Sequence, residues 1–412
     1  MKILQDIRQC SGCHACFNVC PQYGIEMLEN SEGFLYPRIN GDNCTECGKC
    51  KETCHVVYQG GGRKPLNTYA AKNMNDEIRY ESSSGGIFTL FAEYVINSGG
   101  VVFGAQFNEN WEVVHGYAET LAEVAAFRGS KYVQSRIGNT YKQVKNFLTT
   151  GNGGKYVLFG GTPCQIAGLK KYLQRDYDNL LTIDFVCHGV PSPLVWRKYL
   201  NEQSKILLQD NNTMVYDIKF RDKVQGWNPI LIFKISFLTN KSMCTTEKKI
   251  FSYTESSVTN SYMKGYLQNL YLRPSCHNCS VKLLKSGSDI TIADYWGIKN
   301  ILPEFDDSKG TSLVMVNTGK GLKTYKLLNK DDRETSYTDA IAGNFSIVKS
   351  VMPHKKRTYF FEKIDSESLI HLINRLTVDS LGVRLKRIIV VALSRLGCLA
   401  FIKYFFKRVI KI

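Results

Sequence analysis

The sequence predicts a mixed fold, α+β or α/β, in three parts: a small cysteine-rich N-terminal unit, an α/β body and a C-terminal helical basic tail. Three observations predict it. Eight of the 14 cysteines fall between Cys10 and Cys54, in a run that occurs twice. From Thr68 onward, strand-like and helix-like stretches alternate across short turns. After Asp379 no acidic residue occurs, and residues 381–412 carry 8 Lys/Arg. The boundaries expected are 1–59 for the first unit, 60–66 for a linker, 67–345 for the body and 346–412 for the C-terminal segment.

The elements follow in order. Residues 25–28 and 34–39 read as a hairpin around Asn30-Ser31-Glu32-Gly33. Gly60-Gly61-Gly62-Arg63-Lys64-Pro65 marks the linker. Residues 68–72 read as a strand, Ser82 to Gly86 as the opening of a helix over 87–97, and 101–107 as a strand. Strand 156–159, turn 160–163 and helix 164–173 come next, then strand 180–186, which runs into Cys187. This rhythm predicts some parallel strands. Residues 217–220 and 230–238 read as further strands with antiparallel character, 261–272 as a helix, and 289–293 and 311–316 as strands.

Composition excludes several classes. The chain has 412 residues, 43% hydrophobic and 22% charged, which excludes global disorder, collagen and coiled coil. No apolar stretch approaches the ~20 residues of a membrane span. The first residues hold Asp6 and no apolar run, so no secretory signal is expected and a cytoplasmic location is. Net charge is +16, yet residues 1–58 carry 5 Lys/Arg against 7 Asp/Glu. The 8 basic residues of the tail thus supply half the excess. Charge this localised, without a recognition motif, does not predict nucleic-acid binding.

The cysteines carry the chemistry. Cys10, Cys13, Cys16 and Cys20 have C-x2-C-x2-C-x3-C spacing and precede Pro21; Cys44, Cys47, Cys50 and Cys54 repeat the spacing 34 residues later. Three cysteines two residues apart let one tight loop reach three irons of a cubane, and in two-cluster ferredoxins the fourth serves the other cluster. Cys10, Cys13, Cys16 and Cys54 would then hold one [4Fe–4S] cluster, and Cys44, Cys47, Cys50 and Cys20 the second. His55 stands where the second run would have proline, and only a local backbone change is expected from it. Disulfides and structural zinc are the bland alternatives. Cys164 and Cys187 follow predicted strand ends, where α/β sheets place ligands, and Cys276 and Cys279 form a C-x2-C pair. Together they make a candidate third [4Fe–4S] site; zinc, or unconnected buried thiols, are the alternatives. Cys244 and Cys398 read as structural; His188 and His277 read as polar neighbours of the thiols, with tuning of a cluster by hydrogen bonding as the alternative.

One-electron clusters need a two-electron converter to act on most substrates, and flavin is the usual one. Three loops suit a phosphate-bearing cofactor. Ser82, Ser83, Ser84, Gly85 and Gly86 offer hydroxyls and free N–H groups before a helix. Arg128, Gly129, Ser130, Lys131 and Tyr132 add two cations, and Gly161, Thr162 and Pro163 form a second pre-helix turn. Singly, each is also what an ordinary turn looks like. Thr318-Gly319-Lys320-Gly321 lacks a third glycine, with Thr324 in its place, and reads as a turn.

After the doubled cysteine run, the segments SSSGG, RGSKYVQS, LFGGTPCQIAGLK, DFVCHGVPSP, RPSCHNC and DITIADYWGI occur in that order. In this the chain resembles the coenzyme F420 hydrogenase/dehydrogenase beta-subunit family, in its form with a fused two-cluster N-terminal domain, over residues 9–316. The resemblance implies a core that binds FAD and an iron–sulfur cluster. It places Ser83 to Gly86 and Gly161 to Cys164 at the flavin, and Cys164, Cys187, Cys276 and Cys279 at the core cluster. It implies an oxidoreductase that passes electrons between clusters, FAD and a deazaflavin-type coenzyme or another soluble two-electron partner. A non-catalytic electron-transfer subunit feeding a partner enzyme, and a zinc-stabilised interaction protein, are the alternatives.

In the tail, Lys403, Lys407, Arg408 and Lys411 fall on one side of a helix and Phe405, Phe406, Val409 and Ile410 on the other, with a break near Gly397. Such a helix suits peripheral contact with an anionic membrane face, docking to a partner, or packing on its own domain.

Overall fold

The computed structural model describes residues 2–378 apart from 152, 209–212, 225, 228–229 and 241–247. The tail helices read at 381–412, with Cys244 and Cys398, lie outside the described residues.

The N-terminal unit is two short helices, Ala15–Val19 and Lys49–Glu52, beside an antiparallel hairpin of β1 (Ile25–Glu29) and β2 (Leu35–Ile39). Asn30 closes the hairpin: its Oδ1 accepts from Glu32 and Phe34 N–H. Ile3, Ile25, Cys50 and Cys54 form its small core.

The body contains β3 (Asn67–Asn73), β4 (Val101–Phe107), β5 (Val113–Ala118), β6 (Val157–Gly161), β7 (Leu180–Phe185), β8 (Thr213–Asp222), β9 (Ile232–Asn240), β10 (Lys248–Ser256), β11 (Ile290–Asp294), β12 (Ser312–Val316) and β13 (Lys330–Thr335). Eight of these form one mixed sheet in the order β13-β3-β12-β11-β7-β6-β4-β5. The centre is parallel: β4 with β6, β6 with β7, and β7 with β11. Val157, Leu158, Phe159, Leu180, Leu181 and Ile183 are buried there, the continuous apolar character of strands covered on both faces. The flanking pairs are antiparallel. Because β6 and β7 run the same way, their carboxyl ends deliver Cys164 and Cys187 to one edge of the sheet.

A second, three-stranded antiparallel sheet, β10-β9-β8, stands apart. Its Phe220, Phe233, Ile235 and Phe237 pack with Trp196 and Tyr199 of helix Pro193–Leu207 and Tyr262 and Met263 of helix Ser261–Leu267. Phe360 of helix Arg357–Lys363 and Leu369, Leu372 and Ile373 of helix Leu369–Leu376 join this same core.

Three expectations on local structure are corrected. The helix expected over 261–272 ends at Leu267, because Asn269 adopts φ +61° and turns the chain so that Leu270, Tyr271 and Leu272 bury completely. Gly160 and Gly161 belong to strand β6, and the turn shrinks to Thr162. Thr318 to Gly321 is no turn: Thr318 caps helix Gly319–Leu327, its Oγ1 accepting from Gly321 N–H at 3.1 Å.

Candidate functional site

The structure brings the twelve candidate thiols into three groups of four. Cys10, Cys13, Cys16 and Cys54 are electrostatic neighbours of one another. Cys20, Cys44, Cys47 and Cys50 surround a small cavity under the β1–β2 hairpin, with Cys47 exposed. Cys164, Cys187, Cys276 and Cys279 line a cavity of about 750 Å³, open solvent included, at the carboxyl edge of the sheet. Burial pushes the Cys164 thiol up to about 11 and Cys276 to about 12, and raises Cys13, Cys16, Cys54 and Cys187 as well. Burial thus favours the neutral thiol, and binding a metal would release its proton.

Backbone N–H groups reach sulfurs in every group, among them Gly12 N to Cys10 Sγ at 3.4 Å, Gly24 N to Cys20 Sγ at 3.3 Å and Val190 N to Cys276 Sγ at 3.4 Å. Such donors stabilise charge on cluster sulfurs. Among the described residues no three His, Cys, Asp or Glu side chains are placed to close on a single metal ion. Four thiols per group is the donor set that a [4Fe–4S] cubane takes.

The first and third groups adjoin. Gln9 and Ser11 line the same cavity as the core thiols, and Cys13 feels Cys164. Arg273, fully buried, reaches from the core cavity into the first run: its Nε donates to Cys10 O at 2.7 Å. His55 does more than the local change expected of it. Its Nε2 lies 2.8 Å from Ser11 Oγ in the first run, and its Nδ1 3.4 Å from Ser280 Oγ beside Cys279. His188 and His277 are held from outside the cage, by Asn269 Oδ1 at 2.7 Å and Val351 O at 3.0 Å.

The candidate flavin loops meet in part. Ser83 Oγ accepts from Ser130 N at 2.7 Å and lies 2.9 Å from Ser130 Oγ, joining the serine loop to the Arg128 to Tyr132 loop. The other two serines are engaged within the fold: Ser82 Oγ donates to Ile78 O and Ser84 Oγ to Thr311 O. Arg128 Nε is buried without a partner, and burial lowers the Lys131 ammonium to about 8. Pro163 lines the core thiol cavity, and Gln165 Oε1 accepts from Thr162 N at the start of helix Pro163–Leu173. The orphaned guanidinium nitrogen and the Ser83–Ser130 juncture fit an anionic cofactor tail.

Sequence reasoning missed four residues here. His115, on β5, is 8% exposed; its Nε2 lies 3.1 Å from Gly160 O, its ring stacks on Phe159, and its Nδ1 is unpartnered. Lys223 donates to the carbonyls of Arg79, Ser84 and Lys309, clamping the serine loop from beyond β8. Arg221 and Asp294 form a buried pair beside Tyr132 and Trp296. Only Asp294 had a signal, as part of the DITIADYWGI segment.

Comparison with known proteins decides the family. Residues 68–140 match the model described as coenzyme F420 hydrogenase/dehydrogenase, beta subunit N-term, and residues 154–339 the model for its C terminus. The chain belongs to the coenzyme F420 hydrogenase/dehydrogenase beta-subunit family. Its residues 9–57 match a 4Fe-4S dicluster domain, so this family member carries an iron–sulfur unit at its N-terminal side. Among solved structures, a chain of the F420-reducing [NiFe] hydrogenase complex from Methanosarcina barkeri is similar, at 16% identity and a TM-score of 0.44, covering 74% of this chain and 94% of that one. A search of curated proteins gave no match. No helix among the described residues is long and apolar enough to cross a membrane.

Proposed function

We propose that this family member is an iron–sulfur flavoprotein oxidoreductase that passes electrons between [4Fe–4S] clusters and FAD and on to a deazaflavin-type coenzyme or another soluble two-electron partner. The observation that carries the reading is the sequence of thiol groups. One group has a cysteine at the surface (Cys47), one lies inside the N-terminal unit, and one lies in the core cavity with Pro163 on its wall. Clusters supply one-electron steps and flavin the conversion to two.

This chain's residues do the holding. Cys20, Cys44, Cys47 and Cys50 would hold the outer cluster, where a redox partner can approach. Cys10, Cys13, Cys16 and Cys54 would hold the inner one, and Cys164, Cys187, Cys276 and Cys279 the core cluster. Ser83, Ser130, Arg128 and Lys131 would bind the anionic part of the flavin, with Gly161, Thr162 and Pro163 nearer the core thiols. Quantitation of flavin and acid-labile sulfide on anaerobically purified protein tests this. One FAD per chain and roughly twelve sulfides are expected for three cubanes, and dithionite should bleach the flavin.

A second reading has one specific observation in its favour. Ser82 and Ser84 already spend their hydroxyls on Ile78 and Thr311 carbonyls. A chain that carries clusters to a partner enzyme without its own flavin turnover would show the sulfide but no stoichiometric FAD.

A further inference from the structure

Arg273 is a buried cation without a counter-charge of its own. It is 0% exposed, and each arm of its guanidinium meets a neutral oxygen: Nε to Cys10 O at 2.7 Å, Nη1 to Gln134 Oε1 at 3.0 Å and Nη2 to Leu35 O at 2.9 Å. Its plane lies near the Phe34 and Tyr36 rings. Among the described residues no carboxylate lies within 4.0 Å of it. Isolated charge in a protein interior is costly, and buried cations are normally paired.

Arg273 occupies the seam between two thiol groups. On one side it lies against the first cysteine run: a Cβ on Gly12 would stand 2.8 Å from Nη1, so glycine there makes room for the guanidinium. On the other side it lines the core cavity, and its own carbonyl accepts from Cys276 N–H at 3.0 Å. Its charge is felt by both Cys164 and Cys276. Four thiolates around a cubane leave net negative charge, and that charge with its surroundings sets the potential.

We propose that Arg273 is the shared counter-charge of the inner and core clusters, a positioning residue that raises both reduction potentials together. The inference rests on the cluster reading above and adds to it a residue that tunes electron transfer between the two centres. Adding an electron to either cluster increases negative charge beside a fixed cation, so the reduced state gains most from Arg273.

The test is a redox titration of the full-length, anaerobically purified protein, followed by electron paramagnetic resonance, in Arg273→Gln, Arg273→Lys and wild type. Arg273→Gln should retain iron and sulfide while the reduction equilibria of the inner and core clusters fall at least about tenfold, a drop of about 59 mV for a one-electron couple. Arg273→Lys should recover most of that drop. The outer cluster, held by Cys20, Cys44, Cys47 and Cys50, should not move and serves as the internal control. Gln134→Glu provides the second route: it places a carboxylate beside Nη1 without removing the arginine, and should lower the same two potentials. Unchanged potentials in a fully loaded Arg273→Gln protein overturn the proposal. If that variant does not load, unchanged potentials in Gln134→Glu overturn it. Absence of clusters from wild type would defeat the cluster reading itself, a separate outcome.

Discussion

Cys13 of the N-terminal unit lies against Gly168 of the body: a Cβ on that glycine would stand 2.9 Å from Cys13 Sγ and 3.0 Å from its Cβ. Gly168 lies in helix Pro163–Leu173, the helix that Cys164 opens. One helix therefore carries a core thiol in its first turn and supports an inner thiol from its middle. Gly168→Ala should displace Cys13, destabilise the fold by about 1–3 kcal/mol through overpacking, and lower the iron content of the inner cluster first. Thermal unfolding and iron quantitation check this, with Gly41→Ala as a control, since a Cβ there meets nothing within 4 Å.

The core thiols act as a set. Cys276→Ser should remove roughly four of the twelve irons expected for three cubanes and leave the other two clusters intact. Metal analysis on the anaerobic protein reads the difference. Loss of all iron would mean that the core site is needed to assemble the others.

Ser83 is the serine of its loop that reaches the Arg128 to Tyr132 loop. Removing a hydrogen bond of this kind costs about 1 kcal/mol, so Ser83→Ala should weaken flavin retention about fivefold. Ser82→Ala, whose hydroxyl bonds Ile78 O, should change stability more than flavin affinity. Fluorimetric titration of flavin-stripped protein separates the two.

The serine loop rests on an ion pair with a pH signature. Burial would raise the Asp307 carboxyl, but hydrogen bonds from Arg79, the Lys309 N–H and the charges of Arg79 and Lys72 outweigh it and hold Asp307 well below the usual carboxylate range. A carboxyl depressed in the folded state stabilises above its unfolded value, about 3.9, and that stabilisation is lost as pH falls through the folded value. Wild type should exceed Asp307→Asn in stability at pH 6 by up to about 1 kcal/mol, since the pair is partly exposed. The gap should narrow on going to pH 3. Thermal unfolding by circular dichroism across that range measures it.

The legible parts of this protein are those where chemistry dictates spacing. The doubled run places Cys54 with the first triplet and Cys20 with the second because a loop of three cysteines cannot also reach the fourth corner of a cubane. Cys164 and Cys187 can be found because they follow apolar strands that must run parallel in a buried sheet. What stayed illegible depends on distant contacts. Nothing local marks His115, a lone histidine in a strand, as a neighbour of Gly160. Arg273 reads as an ordinary flank of the C-x2-C pair until the fold carries it to Cys10, 263 residues away. The early end of helix Ser261–Leu267 is set by burial of Leu270 to Leu272, a tertiary demand that overrides helix periodicity. The serine loop offers three hydroxyls in sequence, and only packing reveals that Ile78 and Thr311 carbonyls engage two of them.

The most direct test of the account is electron paramagnetic resonance on the full-length chain, produced with abundant iron, purified without oxygen and reduced with dithionite. Signals of reduced [4Fe–4S] centres, with roughly twelve irons per chain, are expected. An intact chain that stays silent, or that holds zinc in place of iron, would contradict it.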